Sequence, residues 1–189
     1  MKIELIIGST RPGRVGPQIT TWVADNLPKK PGIEYEIVDI KDWKLPIFDE
    51  AIHPSMNQYQ HKHTKAWSQK IKQAGAYIFL TPEYNAGYPA SLKNAIDYLY
   101  HEWQNKPLMI ISYGISGGTT ASAHLRQVAE RLKMKVTTTS PAFVIDKDMS
   151  DDNGQIKDIT NTFRPYEAKL QEATEQLFSI MAQSETIPE

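Results

Sequence analysis

The chain is expected to fold as an α/β three-layer sandwich, a five-stranded parallel sheet with helices packed on both faces. Three observations predict it. Short continuous apolar runs recur along the chain, each bounded by turn residues, as strands buried on both faces require. Stretches whose apolar residues repeat at helical spacing lie between them. The two patterns alternate without an internal repeat or a linker, and such alternation gives parallel strands joined by helical crossovers.

Residues 3–7, Ile-Glu-Leu-Ile-Ile, form the first buried strand, and residues 8–17 the turn after it. A helix is expected from Pro17, with Ile19, Trp22, Val23 and Leu27 facing inward, until Pro28, Pro31 and Gly32 stop it. Residues 33–40 alternate and then become continuous, as a second strand would. Residues 41–57 read as a long loop whose Trp43, Pro46, Phe48 and Pro54 suggest ordered coil near the sheet's carboxyl edge. Ala66, Trp67, Ile71 and Ala74 mark a helix leading into the third strand, residues 76–80. Pro89 suits the first turn of the next helix, in which Leu92, Ala95, Ile96 and Leu99 share one face. Residues 107–112 give a fourth strand, followed by a helix carrying Leu125, Val128, Ala129 and Leu132. Residues 136–139 and 142–145 read as a last strand around Pro141, and Phe163, Tyr166, Leu170, Ala173, Leu177 and Ile180 as one closing helix. Residues 1–183 are taken as one domain and 184–189 as a frayed, disordered tail.

A length of 189 residues suffices for a single sizeable core. With 21 basic and 22 acidic side chains, the net charge of −1 offers no electrostatic footprint for nucleic acid or an anionic membrane. The absence of cysteine excludes disulfide and thiol chemistry and fits a reducing compartment. The first apolar run is short and interrupted by Glu4, and no stretch approaches the roughly 20 apolar residues of a spanning helix. A soluble, cytoplasmic protein is the expectation.

Three loops follow strands and so open on one edge of the sheet, where ligands bind in such folds. Residues 9–17 combine Ser9, Thr10, Arg11 and Arg14 with a helix start, the ingredients of an anion site. The P-loop pattern fails there, because Arg14-Val15 stands where Lys-Ser or Lys-Thr would be needed. Residues 82–85, Pro-Glu-Tyr-Asn, place a ring suited to stacking and an amide in a stiffened turn. Glu83 alone suggests a general acid, but a single carboxylate there is read as a helix-dipole or solvated charge. In the third loop, Gly117 and Gly118 lack Cβ atoms, so their backbone N–H groups can approach a planar ring edge. Residues 114–118 also match the Gly-x-Ser-x-Gly elbow of an esterase around Ser116, yet the only later histidine is His124, two turns along the next helix. His61 and His63, at i and i+2, are expected to point apart, and no metal is expected.

A phosphate cradle, an aromatic-amide loop and a glycine-rich edge on a five-stranded parallel sheet make a mononucleotide site for FMN. At Gly8-Ser9-Thr10-Arg11, at Thr81-Pro82-Glu83-Tyr84-Asn85 with residues 92–97, and at Ser112-Tyr113-Gly114 with Gly117-Gly118, the chain resembles the NADPH-dependent FMN reductases. This is the flavodoxin-like group that includes quinone, azo-dye and chromate reductases. The resemblance spans about residues 1–145 and implies a flavodoxin-like fold. It implies FMN phosphate on Ser9, Arg11, Arg14, Val15 and Gly16, and the isoalloxazine against Pro82, Glu83, Tyr84 and Asn85. The pyrimidine edge then lies near Ser112, Tyr113, Gly114, Gly117 and Gly118. No catalytic side chain is required, since FMN carries hydride from NADPH or NADH to a quinone, free flavin, azo compound or metal oxyanion by a ping-pong scheme. Backbone N–H groups of Gly117 and Gly118, near the helix start at Thr119, are expected to stabilise the reduced ring. A homodimer or homotetramer is implied as well, with Tyr98, Tyr100 and Trp103 suited to an interface. An electron carrier or flavin-binding regulator without NAD(P)H activity is the alternative, and an esterase at Ser116 the distant one.

Overall fold

A computed structural model describes residues 1–185. Six strands form one parallel sheet: β1 (Lys2–Ile7), β2 (Glu34–Asp39), β3 (Ala76–Pro82), β4 (Pro107–Gly114), β5 (Lys135–Val136) and β6 (Ala142–Val144). Their order is β2-β1-β3-β4-β5, with β6 also paired to β4. The chain runs outward from β1 to β2 and then returns to lay β3 on the other side of β1. Strand order therefore reverses between β1 and β3, the switch point at which the loops leave a crevice.

β5 and β6 are one interrupted edge strand. Residues 137–141 stand opposite the shorter stretch 109–111 of β4, so the surplus must bulge out. Thr137 N–H still donates to Leu108 O at 2.9 Å and Ser112 N–H to Pro141 O at 3.0 Å, while Pro141 has no N–H to offer. Arg126 spans the break, donating to Thr137 O at 2.6 Å and Ser140 Oγ at 3.0 Å.

Among the described residues seven α-helices accompany the strands: α1 (Gly16–Asn26), α2 (Ile40–Trp43), α3 (Lys62–Lys72), α4 (Ala90–Asp97), α5 (Thr119–Arg131), α6 (Ile159–Phe163) and α7 (Glu167–Glu185). Because successive β-strand side chains point to opposite faces, Ile3 and Leu5 join Ile19, Trp22, Val23, Leu170 and Leu177 under α1 and α7. Ile6 joins Trp67, Ile71, Leu92, Ile96 and Leu125 under α3, α4 and α5. Each face buries its own apolar layer, as a three-layer sandwich demands.

The elements differ from expectation in detail. Pro89 stands one residue before α4, as its N-cap, and Leu99 lies beyond the helix although it is buried. The expected loop 41–57 begins inside a four-residue helix, and Trp43 and Phe48 pack edge-on against Trp67 and Tyr98 at 4.9 and 5.2 Å. The closing helix is broken at residues 164–166, where Pro165 cannot supply an N–H, into α6 and α7. Helix α7 includes Ser184 and Glu185, while the remainder of the tail expectation, residues 186–189, lies outside the described residues. Tyr98 and Trp103 are buried in the core, where the indole N–H donates to Ile96 O at 3.1 Å, so neither presents an interface. Among the described residues no helix is long and apolar enough to cross a membrane.

Candidate active site

The loop after β1 leads from a buried backbone into helix α1. Gly8 N–H donates to Leu80 O at 2.9 Å, and Ser91 Oγ at the start of α4 donates to Gly8 O at 2.7 Å. Gly16 packs so closely that a Cβ would stand 2.6 Å from Ser9 Oγ and 2.8 Å from the Tyr113 hydroxyl. Helix α1 starts at Val15 with no side-chain cap and no acid in its first turn. Its positive end is thus electrostatically open.

Of the residues expected to bind phosphate, Arg11 is exposed and Val15 and Gly16 sit at that helix start. Ser9 and Arg14 are engaged elsewhere. Ser9 is fully buried, its hydroxyl 3.3 Å from the Tyr113 hydroxyl, which ties the first loop to the third. Arg14 donates to Ser9 O and holds Asp39, at the end of β2, with both terminal nitrogens. The reason is Asp39's position one strand over, which no local spacing reveals.

The second loop is a tight hairpin. Tyr84 N–H donates to Gly87 O at 2.8 Å and Gly87 N–H to Tyr84 O at 3.0 Å, with Asn85 at φ 49° and Ala86 at φ 61° between them. Two consecutive left-handed residues make this a type I′ turn, which suits Asn but strains Ala. The turn exposes Tyr84 and Asn85, while Pro82 is buried as the last residue of β3. The Arg11 guanidinium lies over the Tyr84 ring, 5.9 Å from its centroid, so the first two loops meet across the crevice.

The third loop corrects one expectation. Gly117 N–H is spent on Gly114 O at 3.0 Å and Gly117 O accepts from Ser112 Oγ at 2.8 Å, so this glycine closes the turn. The first turn of α5 is closed too: Glu83 Oε2 accepts from Thr120 and Ala121 N–H at 3.0 and 3.1 Å. Glu83 is therefore a helix cap, in line with the helix-dipole reading. Ser112 and Tyr113 are buried, and burial holds the Tyr113 phenol well above its ordinary pKa, keeping it neutral. Ile115 is 75% exposed and, with Tyr84, gives the crevice an apolar rim. Neither Ser116 nor His124 makes a side-chain hydrogen bond among the described residues, so no nucleophile–base pair is assembled.

His61 and His63 do not point apart. His61 precedes α3 in extended backbone, which lets the rings stack at 5.1 Å and both meet Asp49, through its carbonyl at 3.2 Å and its carboxylate at 2.9 Å. Among the described residues no group of three His, Cys, Asp or Glu is placed to hold a metal.

A parallel sheet of order 2-1-3-4-5 with three loops converging at its switch point defines a flavodoxin-like protein. Solved structures agree on the fold. FerB of Paracoccus denitrificans, a flavoenzyme NAD(P)H:(acceptor) oxidoreductase, superposes with a TM-score of 0.72 over 94% of this chain and 97% of its own, at 18% identity. An FMN-dependent NADH-azoreductase of Bacillus anthracis, solved with FMN, gives 0.56 over 94% and 99% at 13% identity. At the sequence level, residues 1–149 match the family model of NADPH-dependent FMN reductase. An NAD(P)H-dependent FMN reductase of Schizosaccharomyces pombe is 48% identical over 149 residues, 78% of this chain and 74% of that protein. A quinone reductase of Pseudomonas putida is 27% identical over 169 residues, 85% and 87% of the two chains. The chain belongs to the NADPH-dependent FMN reductase family and is an oxidoreductase of that type.

Proposed function

We propose that FMN lies across the three loops and that the chain uses it to pass reducing equivalents from NAD(P)H to a quinone. The observation that carries this reading is the contrast between two helix starts on one edge. The start of α1 has no cap and no acid, with Arg11 beside it, whereas the start of α5 is closed by Glu83. A phosphate dianion is favoured at the first and disfavoured at the second. Thr10, Arg11 and the N–H groups of Val15 and Gly16 then receive the phosphate, while Ser9 and Arg14 hold the loop in shape.

The ring system is assigned to the hairpin of Tyr84 and Asn85, above Pro82 and beside Glu83, with its pyrimidine edge toward Gly114, Gly117 and Gly118. Ser112 and Tyr113 support this edge from beneath. Bound FMN supplies hydride acceptance from NAD(P)H and delivery to the acceptor in alternation, a ping-pong scheme. The chain's own part is positional: Tyr84 gives a flat face, Tyr84 and Ile115 an apolar rim, and the buried hydroxyls of Ser9 and Tyr113 fix the loops. That exposed apolar rim favours a flat quinone over a metal oxyanion. Steady-state oxidation of NADPH with a quinone tests it: parallel double-reciprocal lines are expected, and absence of turnover would favour the carrier reading.

The proposal extends to a cytoplasmic homo-oligomer, a dimer or a tetramer. A groove of about 580 Å³, lined by Phe48, His53, Ile96, Leu99, Tyr100 and Leu132, runs between α4 and α5, and Ile47, which precedes Phe48 in the chain, is 91% exposed. An exposed isoleucine next in sequence to a lining residue of an apolar groove suits a two-fold pairing of identical chains. Ile47→Asp is expected to reduce the mass seen by light scattering to that of one chain.

A further inference from the structure

Gly118 opens α5 at φ 69° with no side chain to cap the helix. A Cβ there would stand 2.9 Å from Tyr113 O and 3.0 Å from Tyr113 N, so no residue with a capping side chain fits. The cap comes from another loop, 37 residues earlier in sequence, as Glu83 Oε2 accepts from Thr120 and Ala121 N–H. The Glu83 backbone is fixed as well, its N–H donating to Tyr113 O at 3.2 Å. A full negative charge is thereby held against the end of a helix that carries roughly half a positive charge. At the α5 start itself the carboxylate outweighs that partial charge.

We infer that Glu83 is a positioning residue that sets the reduction potential of the bound flavin through its hold on the α5 N-terminus. This rests on the FMN placement proposed above. Reduction adds negative charge to the ring system, and at the glycine-rich edge that charge meets a capped helix start with a carboxylate beside it instead of an open one. The reduced cofactor is held less tightly than the oxidised one, which makes it a stronger donor toward an acceptor.

The test is the potential of protein-bound FMN, measured anaerobically by dye equilibration, in wild type, Glu83→Gln and Glu83→Asp. Gln keeps an oxygen for the two N–H groups and removes the charge; Asp keeps the charge. Glu83→Gln is expected to bind reduced FMN about tenfold more tightly relative to oxidised FMN, an upward shift of about 30 mV for a two-electron couple. Glu83→Asp is expected to stay at the wild-type potential. An unchanged potential in Glu83→Gln with FMN still bound, or equal shifts in both variants, overturns the inference and leaves the cofactor site standing. A wild-type protein that retains no FMN overturns the site and the inference together.

Discussion

Arg14 Nη1 stands 2.7 Å from Asp39 Oδ1 while its other terminal nitrogen meets Oδ2, a two-pronged clasp between the first loop and the end of β2. The side chains are only 10% and 17% exposed, so removing one partner strands a largely desolvated charge. Arg14→Ala is expected to cost about 2 kcal/mol of stability, as the loss of charge-assisted hydrogen bonds does. Urea denaturation checks this; a loss no greater than that of Arg11→Ala would contradict the clasp.

Arg11 is expected to behave in the opposite way. It is exposed and meets the face of Tyr84, so Arg11→Ala should leave stability nearly unchanged. Its expected effect is on FMN, with a dissociation constant raised about tenfold, more than in Tyr84→Ala, because a charge-assisted phosphate contact is lost. Riboflavin, which has no phosphate, should bind wild type and Arg11→Ala alike. Equal losses for both ligands would move the phosphate elsewhere.

The Asn85-Ala86 turn allows a stabilising change. Ala86 sits at φ 61°, where a Cβ costs roughly 1 kcal/mol and glycine is free of that cost. Ala86→Gly is expected to raise stability by up to about 1 kcal/mol, reduced by the greater entropy of glycine in the unfolded chain. A thermal melt that shows marked destabilisation would argue against the type I′ turn.

A fully buried carboxylate predicts a pH dependence. Glu4 is fully buried on β1 with Lys70 Nζ 3.1 Å from Oε1, and burial pushes its carboxyl above the usual 4.5 against the pull of Lys70. Between the unfolded value and the raised folded value the native state binds the extra proton, so this group's contribution to stability falls as pH rises through that window. Glu4→Gln removes the effect. Its stability relative to wild type is expected to grow as pH rises above the ordinary carboxylate value, as measured by denaturant titration at each pH. A difference independent of pH would contradict it.

Continuous apolar runs are unambiguous, so β1, β3 and β4 and the three loops that follow β1, β3 and β4 were legible in the sequence. The broken edge strand was partly legible, since Pro141 signals an interruption but not that both halves pair with β4. What stayed hidden depended on partners distant in sequence. Asp39 claims Arg14 from a neighbouring strand, and Tyr113 claims Ser9 from across the sheet. Glu83 reads as a helix-dipole charge, but the helix it caps belongs to the next βα unit, hinted at only by Gly118 at a helix start with no capping side chain. His61 and His63 misled because the i, i+2 rule belongs inside a helix, and His61 lies just outside one.

Flavin retention and its reduction by NADPH are read together in the visible spectrum of the purified protein after loading with FMN and removing the excess, followed by anaerobic addition of NADPH. Retained flavin absorbance that bleaches on addition is the predicted result and joins the three-loop site to the reaction. Protein that emerges colourless would rule out the three-loop FMN site, and a bound flavin that NADPH cannot reduce would rule out the reductase reaction.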